Sequence, residues 1–107
     1  MVERDAYLDG LFGSLADPIR RDMLQRLISA QYTVSQLAQN YSVSFAAVAK
    51  HLSVLEKARL VIKQRRGKEQ VVSIAPGALK DASQYLARYE ALWNERFDAL
   101  ESLLKDE

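Results

Sequence analysis

Apolar positions along the chain fall mostly at helical spacing, with one central stretch that changes to the two-residue period of strands. Tyr7, Leu8, Leu11, Phe12 and Leu15 form a first helical stripe, with Gly13 near its end. Asp17-Pro18 marks the next start: Asp accepts from the free first-turn amides, and Pro at the first helical position has no amide to leave unpaired. Ile19, Met23, Leu24, Leu27 and Ile28 then predict a helix to about Ser29. Thr33-Val34-Ser35-Gln36 has the form of a capping box, with Thr33 as N-cap and Gln36 reaching back. Val34, Leu37, Ala38 and Tyr41 give the following helix one apolar face over about two turns. Ser44 can cap a further helix, Phe45 to Ala58, in which Phe45, Val48, Leu52 and Leu55 point inward. Its opposite face is Ala46, Lys50, Ser53 and Lys57.

Two short helices joined by a tight turn, the second with a small and basic outer face, form a helix-turn-helix pattern. After it, residues 60–64 and 70–74 are rich in β-branched side chains and flank Arg65-Arg66-Gly67-Lys68-Glu69, which suits a hairpin. Pro76 is expected to open the last helix at its first position. From Leu79 the stripe Leu86, Tyr89, Trp93, Phe97, Leu100 and Leu104 advances by threes and fours. A helix of that length measures ~40 Å, more than the breadth of so small a domain. Its stripe therefore needs a second surface, and a second copy of the chain is the simplest one. Tyr7, Leu8, Leu11 and Phe12 offer a matching strip, so these four and the six residues from Leu86 to Leu104 are the expected dimer contacts.

Composition narrows the picture. With 107 residues, 49% of them hydrophobic and 27% charged, the chain is expected to be one soluble globular domain over 1–107. No run of ~18 apolar residues suggests a membrane span, and the acidic start does not read as a signal peptide. Cysteine is absent and only one His is present, which excludes disulfides, thiolate metal sites and cysteine nucleophiles and leaves too few ligands for a histidine zinc site. This fits a cytoplasmic protein. Neither a Gly-rich phosphate loop nor a nucleophile with a base is found, so no catalytic residue, metal or cofactor is expected.

The formal charge of +1 hides a split. Residues 50–70 carry seven basic side chains against Glu56 and Glu69, a local excess of +5, while 1–49 sum to −1 and 80–107 to −3. Such a block is either a polyanion footprint or a solvated hairpin face. Lys50 points away from the inner stripe and suits a DNA contact. His51 lies about 60° from the stripe centre, which suits a structural hydrogen bond or a phosphate contact. For Phe45, core packing comes first and apolar contact with a thymine methyl second. A helical interaction module whose basic hairpin binds an acidic protein partner is the alternative to a DNA-binding protein.

Particular segments resemble a known family. Leu15-Ala16-Asp17-Pro18-Ile19-Arg20-Arg21-Asp22-Met23-Leu24 is similar to the LADPxRRxIL opening of the ArsR/SmtB repressors. Val34-Ser35-Gln36-Leu37-Ala38 resembles their first motif helix, and Val48 to Val61 their VSxHLxxLxxAGLV segment. Tyr89 to Phe97 is similar to the SdpR-type subgroup, which lacks the metal motifs. The resemblance implies a mainly α, winged helix-turn-helix fold in the order α-α-α-α-β-β-α, with a helix-turn-helix at 33–58, a wing at 60–75 and a dimerisation helix at 76–105. It also implies a homodimeric repressor of its own or a neighbouring operon, bound to an imperfect inverted repeat in double-stranded DNA. Thr33, Ser44, Phe45, Ala46, Ala47, Lys50 and His51 would then face DNA, with Arg65, Arg66 and Lys68 on a wing along the backbone or minor groove. A small-molecule inducer and a protein inducer both stay open.

Departures from the family bear on mechanism. Where metal-sensing relatives carry a Cys-containing ELCVC-type stretch, this chain has Thr33-Val34-Ser35-Gln36-Leu37-Ala38. Asp81 is followed by Ser83 where the second metal site has His, so metal sensing is not expected. Ser44-Phe45-Ala46 replaces the usual Ser-Gln-Pro, Ala49 stands for Ser, and Arg59 for Gly.

Overall fold

The structure, a computed structural model, describes residues 2–77 and 79–105; Met1, Ala78, Asp106 and Glu107, which the expected domain bounds include, lie outside them. The elements run α1 (Val2–Ser14), α2 (Pro18–Ser29), β1 (Tyr32–Thr33), α3 (Val34–Ala38), α4 (Phe45–Lys57), β2 (Val61–Arg66), β3 (Glu69–Ile74) and α5 (Lys80–Lys105). This is a winged helix-turn-helix, with one strand more than expected.

The local signals act through side chains that satisfy free helix ends. Asp17 Oδ1 accepts from the Ile19 and Arg20 amides at 2.8 and 3.2 Å, with Pro18 beginning α2. The Thr33 capping box is complete: Thr33 Oγ1 accepts from the Gln36 amide at 3.0 Å, and Gln36 Oε1 accepts from the Thr33 amide at 2.9 Å. Ser44 Oγ accepts from the Ala47 amide at 3.1 Å and starts α4.

α4 ends in a Schellman arrangement: Arg59 N–H donates to Glu56 O and Leu60 N–H to Leu55 O, each at 3.0 Å. That motif puts Arg59 in the left-handed region at φ 62, a conformation costing roughly 1–2 kcal/mol for a residue with a Cβ. The Arg59 guanidinium lies 5.2 Å from the Tyr7 ring centroid, a cation–π contact that offsets part of this cost and ties α4 to α1.

The sheet is antiparallel, in the order β1-β3-β2. Val61 pairs with Ile74 and Arg66 with Glu69, so the hairpin closes on Gly67-Lys68, a tighter turn than the five-residue connection expected. Gly67 takes φ 63 at the first turn position, where a Cβ would be strained. β1 pairs Tyr32 with Val72 and Thr33 with Val71, and thereby attaches the start of α3 to the wing.

The core gathers one face from each element: Leu11, Met23, Leu37, Val48, Leu52, Leu55, Leu60 and Val72 are fully buried. Leu8 and Leu11 were expected on a partner-facing strip. They are instead part of the protomer's interior, because α1 turns that side onto its own chain. Phe45 was expected to point inward, and this also needs correction. It is 57% exposed, since the first turn of α4 projects past the core that Val48 and Leu52 reach.

Pro76 does not open the last helix. Ala75 N–H still bonds back to Leu60 O, Gly77 takes φ 70, and Lys80 N–H closes the turn onto Gly77 O. A left-handed residue cannot sit inside a right-handed helix, so α5 begins at Lys80 and runs 26 residues. Ala82 is buried, and Phe12 meets Tyr85 with ring centroids 5.8 Å apart. From Leu86 to Lys105 every residue of α5 is exposed, and the molecule reaches 68 Å along its longest axis.

Candidate nucleic-acid interface

Three elements meet at one cleft. Thr33, Val34 and Ser35 at the start of α3, Phe45, Ala49 and Leu52 on α4, and Lys63, Lys68, Glu69 and Gln70 on the wing line it together. Of the expected DNA-facing residues, this brings Thr33, Phe45 and Lys68 to one place. The sheet is responsible: β1 pairing with β3 pulls the cap of α3 against the hairpin that carries Lys68.

Around this cleft the basic side chains are largely free. Lys50 on α4, Arg66 at the end of β2 and Lys68 in the turn are exposed, with no carboxylate within 4.0 Å among the described residues. The exposed Arg65 donates from Nε to Gly67 O at 3.3 Å, which orders the wing tip. Lys63 differs. Its ammonium lies 3.4 Å from Glu56 Oε1 and 3.5 Å from Ser53 Oγ, holding the wing against α4. Ala46 is exposed and Ala47 half-buried. Ser44 and Thr33 use their side-chain oxygens as caps, so their local role is to start helices.

His51 turns inward. Its Nδ1 lies 3.1 Å from an Arg20 terminal nitrogen, and because guanidinium only donates, Nδ1 accepts and the ring proton sits on Nε2. Arg20 also donates from Nε to Ser14 O at 2.7 Å and from its other terminal nitrogen to Gly13 O at 3.3 Å. One guanidinium thus joins the end of α1, the first turn of α2 and the middle of α4. A second polar link lies on the other side of α2. Tyr41 donates its hydroxyl to Asp22 Oδ2 at 2.7 Å, and Arg26 Nε donates to the same oxygen at 2.8 Å. The Tyr41 hydrogen bond, followed by that of Arg26, holds the Asp22 carboxyl below the usual carboxylate range. Burial and the Asp22 contact push the Tyr41 phenol above its ordinary value. Asp17 is also lowered: desolvation raises it, but hydrogen bonds from the Arg20 and Ile19 amides, with the nearby Arg20 charge, outweigh that.

Sequence reasoning did not find Arg20, Asp22 or Tyr41 as organisers of this face. Arg20 does lie within the motif segment, but its partner is 31 positions away. It also omitted Leu92 and Leu103, both strongly exposed beside the α5 stripe, and Tyr85, which joins that helix to α1. The stripe residues Leu86, Tyr89, Trp93, Phe97, Leu100 and Leu104 are all exposed, while Tyr7 and Phe12 are half-buried. Among the described residues, no group of three His, Cys, Asp or Glu side chains is placed to hold a metal ion. Among the same residues, no helix is long and apolar enough to cross a membrane.

A family profile described as bacterial regulatory protein, arsR family, matches residues 17–63, from the cap of α2 into the wing. The HTH-type transcriptional regulator Rv2034 of Mycobacterium tuberculosis is 32% identical over 99 residues, covering 92% of this chain and 90% of its own. The chain belongs to the ArsR family. As a member it is a DNA-binding transcriptional regulator. The ArsR-like transcriptional regulator from Rhodococcus sp. RHA1 superposes with a TM-score of 0.83 at 30% identity, over 100% of this chain and 98% of that one. The transcriptional repressor SdpR of Bacillus subtilis is 23% identical, covering 77% of this chain and 91% of its own.

Proposed function

We propose that this ArsR-family regulator is a dimeric repressor that reads an imperfect inverted repeat and responds to no metal ion. The observation that carries the reading is the cleft where the α3 cap, the first turn of α4 and the wing tip converge, with the exposed Lys68 in its lining. In this reading the chain is one DNA-binding unit, with the N-terminal end of α4 in the major groove and Arg65, Arg66 and Lys68 along the flanking backbone. The exposed apolar side chains of α5 support a two-fold dimer, which would also set the spacing of the two reading heads. Repression is supported by the likeness to SdpR, itself a repressor. Metal independence rests on the absence of cysteine, the single His, and Ser83 in place of a ligand. A cytoplasmic location follows from action on the chromosome.

The test is selection of binding sites from random or genomic fragments, followed by footprinting. The expected result is a site with two half-sites one DNA turn apart (~34 Å), one dimer per site, and affinity falling steeply with salt. Failure to select any sequence, or a flat salt dependence, would overturn the reading.

A further inference from the structure

Resting on that reading, we propose that Phe45, with Ala49 beside it, is the specificity-determining edge of the protein, and that it recognises thymine C5-methyl groups in each half-site.

The argument starts from what the outer side of α4 lacks. A helix that enters the major groove reads base edges with residues near its N-terminus. Here those residues are Phe45, Ala46 and Ala49, none of which carries a side-chain donor or acceptor. The first cation is Lys50, a turn and a half into the helix. Polar readout from the first turn of α4 is thus confined to the Ser44 hydroxyl, whose oxygen already accepts from the Ala47 amide.

What the face does present is apolar and exposed. Phe45 leaves 57% of its surface in water although Val48 and Leu52, about one and two turns further on, are fully buried. Phe45 and Ala49 line the cleft together with Lys63, Lys68, Glu69 and Gln70 of the wing; Lys63 is held by Glu56, and Lys68 is exposed with no carboxylate within 4.0 Å among the described residues. The exposed ring lies beside a stretch, 50–70, that carries a local excess of positive charge, which fits contact with an anionic partner. In the major groove the one apolar group on any base is the thymine C5-methyl, and Phe and Ala are side chains suited to it. Ring, small neighbour and cations together fit a thymine-bearing strand: the methyl packs on Phe45, the absence of a longer side chain at Ala49 leaves room for the base edge, and Lys68 neutralises a phosphate.

Deoxyuridine isolates this contact, because it removes the methyl and leaves every Watson–Crick and major-groove polar group in place. Once a site has been selected, each thymine in turn is replaced by deoxyuridine, and binding is measured for the full-length protein and for Phe45→Ala. Expected is a loss of about three- to fivefold at one or two positions per half-site, the factor matching burial of a single methyl-sized group. In Phe45→Ala that penalty should vanish while salt-sensitive binding to random DNA and the circular-dichroism melting curve stay close to the parent. A selected site at which uracil is neutral everywhere overturns this inference and leaves the regulator reading intact. So does a uracil penalty that persists undiminished in Phe45→Ala. A chain that selects no site overturns both.

Discussion

Replacing Trp93 and Phe97 together by Glu tests the role of α5 without disturbing the rest of the protomer. Both rings stand in water in the isolated chain, 73% and 55% exposed, and with Arg96 and Leu100 they line a shallow apolar hollow. Surface substitutions of this kind change protomer stability by about 0.5 kcal/mol or less. Packing in a dimer is different. Full burial of a large apolar side chain contributes ~1.5–3 kcal/mol, and these two have roughly half to three-quarters of that still to gain, about 1–2 kcal/mol each. Two-fold symmetry counts every contact twice, so four side chains contribute on the order of 4–8 kcal/mol, or roughly three to six decades in the dimer dissociation constant. Sedimentation equilibrium should therefore show a monomer for the double variant at concentrations where the parent is a dimer, with the helical circular-dichroism signal largely kept. Affinity for the selected operator should fall far more than affinity for random DNA, because only the operator requires two correctly spaced heads. A well-folded variant that still sediments as a dimer and binds its operator at parental strength would refute the argument that this stripe is the interface.

Four further outcomes are expected. Replacing Arg65 and Arg66 by Ala removes four cations from a dimer, so the slope of log affinity against log salt should become shallower by about 3–4; an unchanged slope would take the wing off the phosphate backbone. Micromolar zinc, cadmium or arsenite should leave the DNA complex intact in a band-shift assay, since soft metals need thiolate or imidazole clusters; stoichiometric release by one metal per chain would contradict this. The lowered Asp22 carboxyl holds fewer protons folded than unfolded, so its stabilisation is present above the unfolded value of about 3.9 and is lost as pH falls below it. Thermal melts from pH 5 to pH 2.5 should accordingly decline less steeply in Asp22→Asn than in the parent. Arg20→Ala should weaken operator binding by loosening α4 from α1 and α2, and Arg20→Lys, which cannot make all three bonds, should restore little of it; full restoration by Lys would mean that charge alone matters there.

The elements most legible in the chain are those held by interactions within a few residues. Asp17-Pro18, the Thr33–Gln36 box and Ser44 each satisfy helix ends two or three positions away, and each acts as its residues lead one to expect. Gly67 turns the hairpin, and the length of α5 follows from an apolar repeat that runs without a breaker. Less was legible where a short segment borrows its structure. Two residues, Tyr32 and Thr33, form a strand only because Val71 and Val72 lie alongside them, and no period can be read from two positions. Pro76 failed as a helix opener because Gly77, the next residue, takes φ 70 and cannot continue a right-handed helix.

The starts of α2, α3 and α4, the hairpin, the family and the positive block at 50–70 are all legible in the chain, because they reside in side-chain identity and near-neighbour spacing. Which way the ambiguous side chains face depends instead on how the elements pack. Leu8, Leu11 and Phe45 all occupy apolar positions at helical spacing, yet the first two are covered by their own protomer and the third stands in water. His51 shows the same division, as its partner Arg20 lies 31 residues back and reaches it only once α2 has packed across α4. Periodicity states that a helix has a face. What covers that face depends on distant parts of the chain, and burial is set by where those parts end.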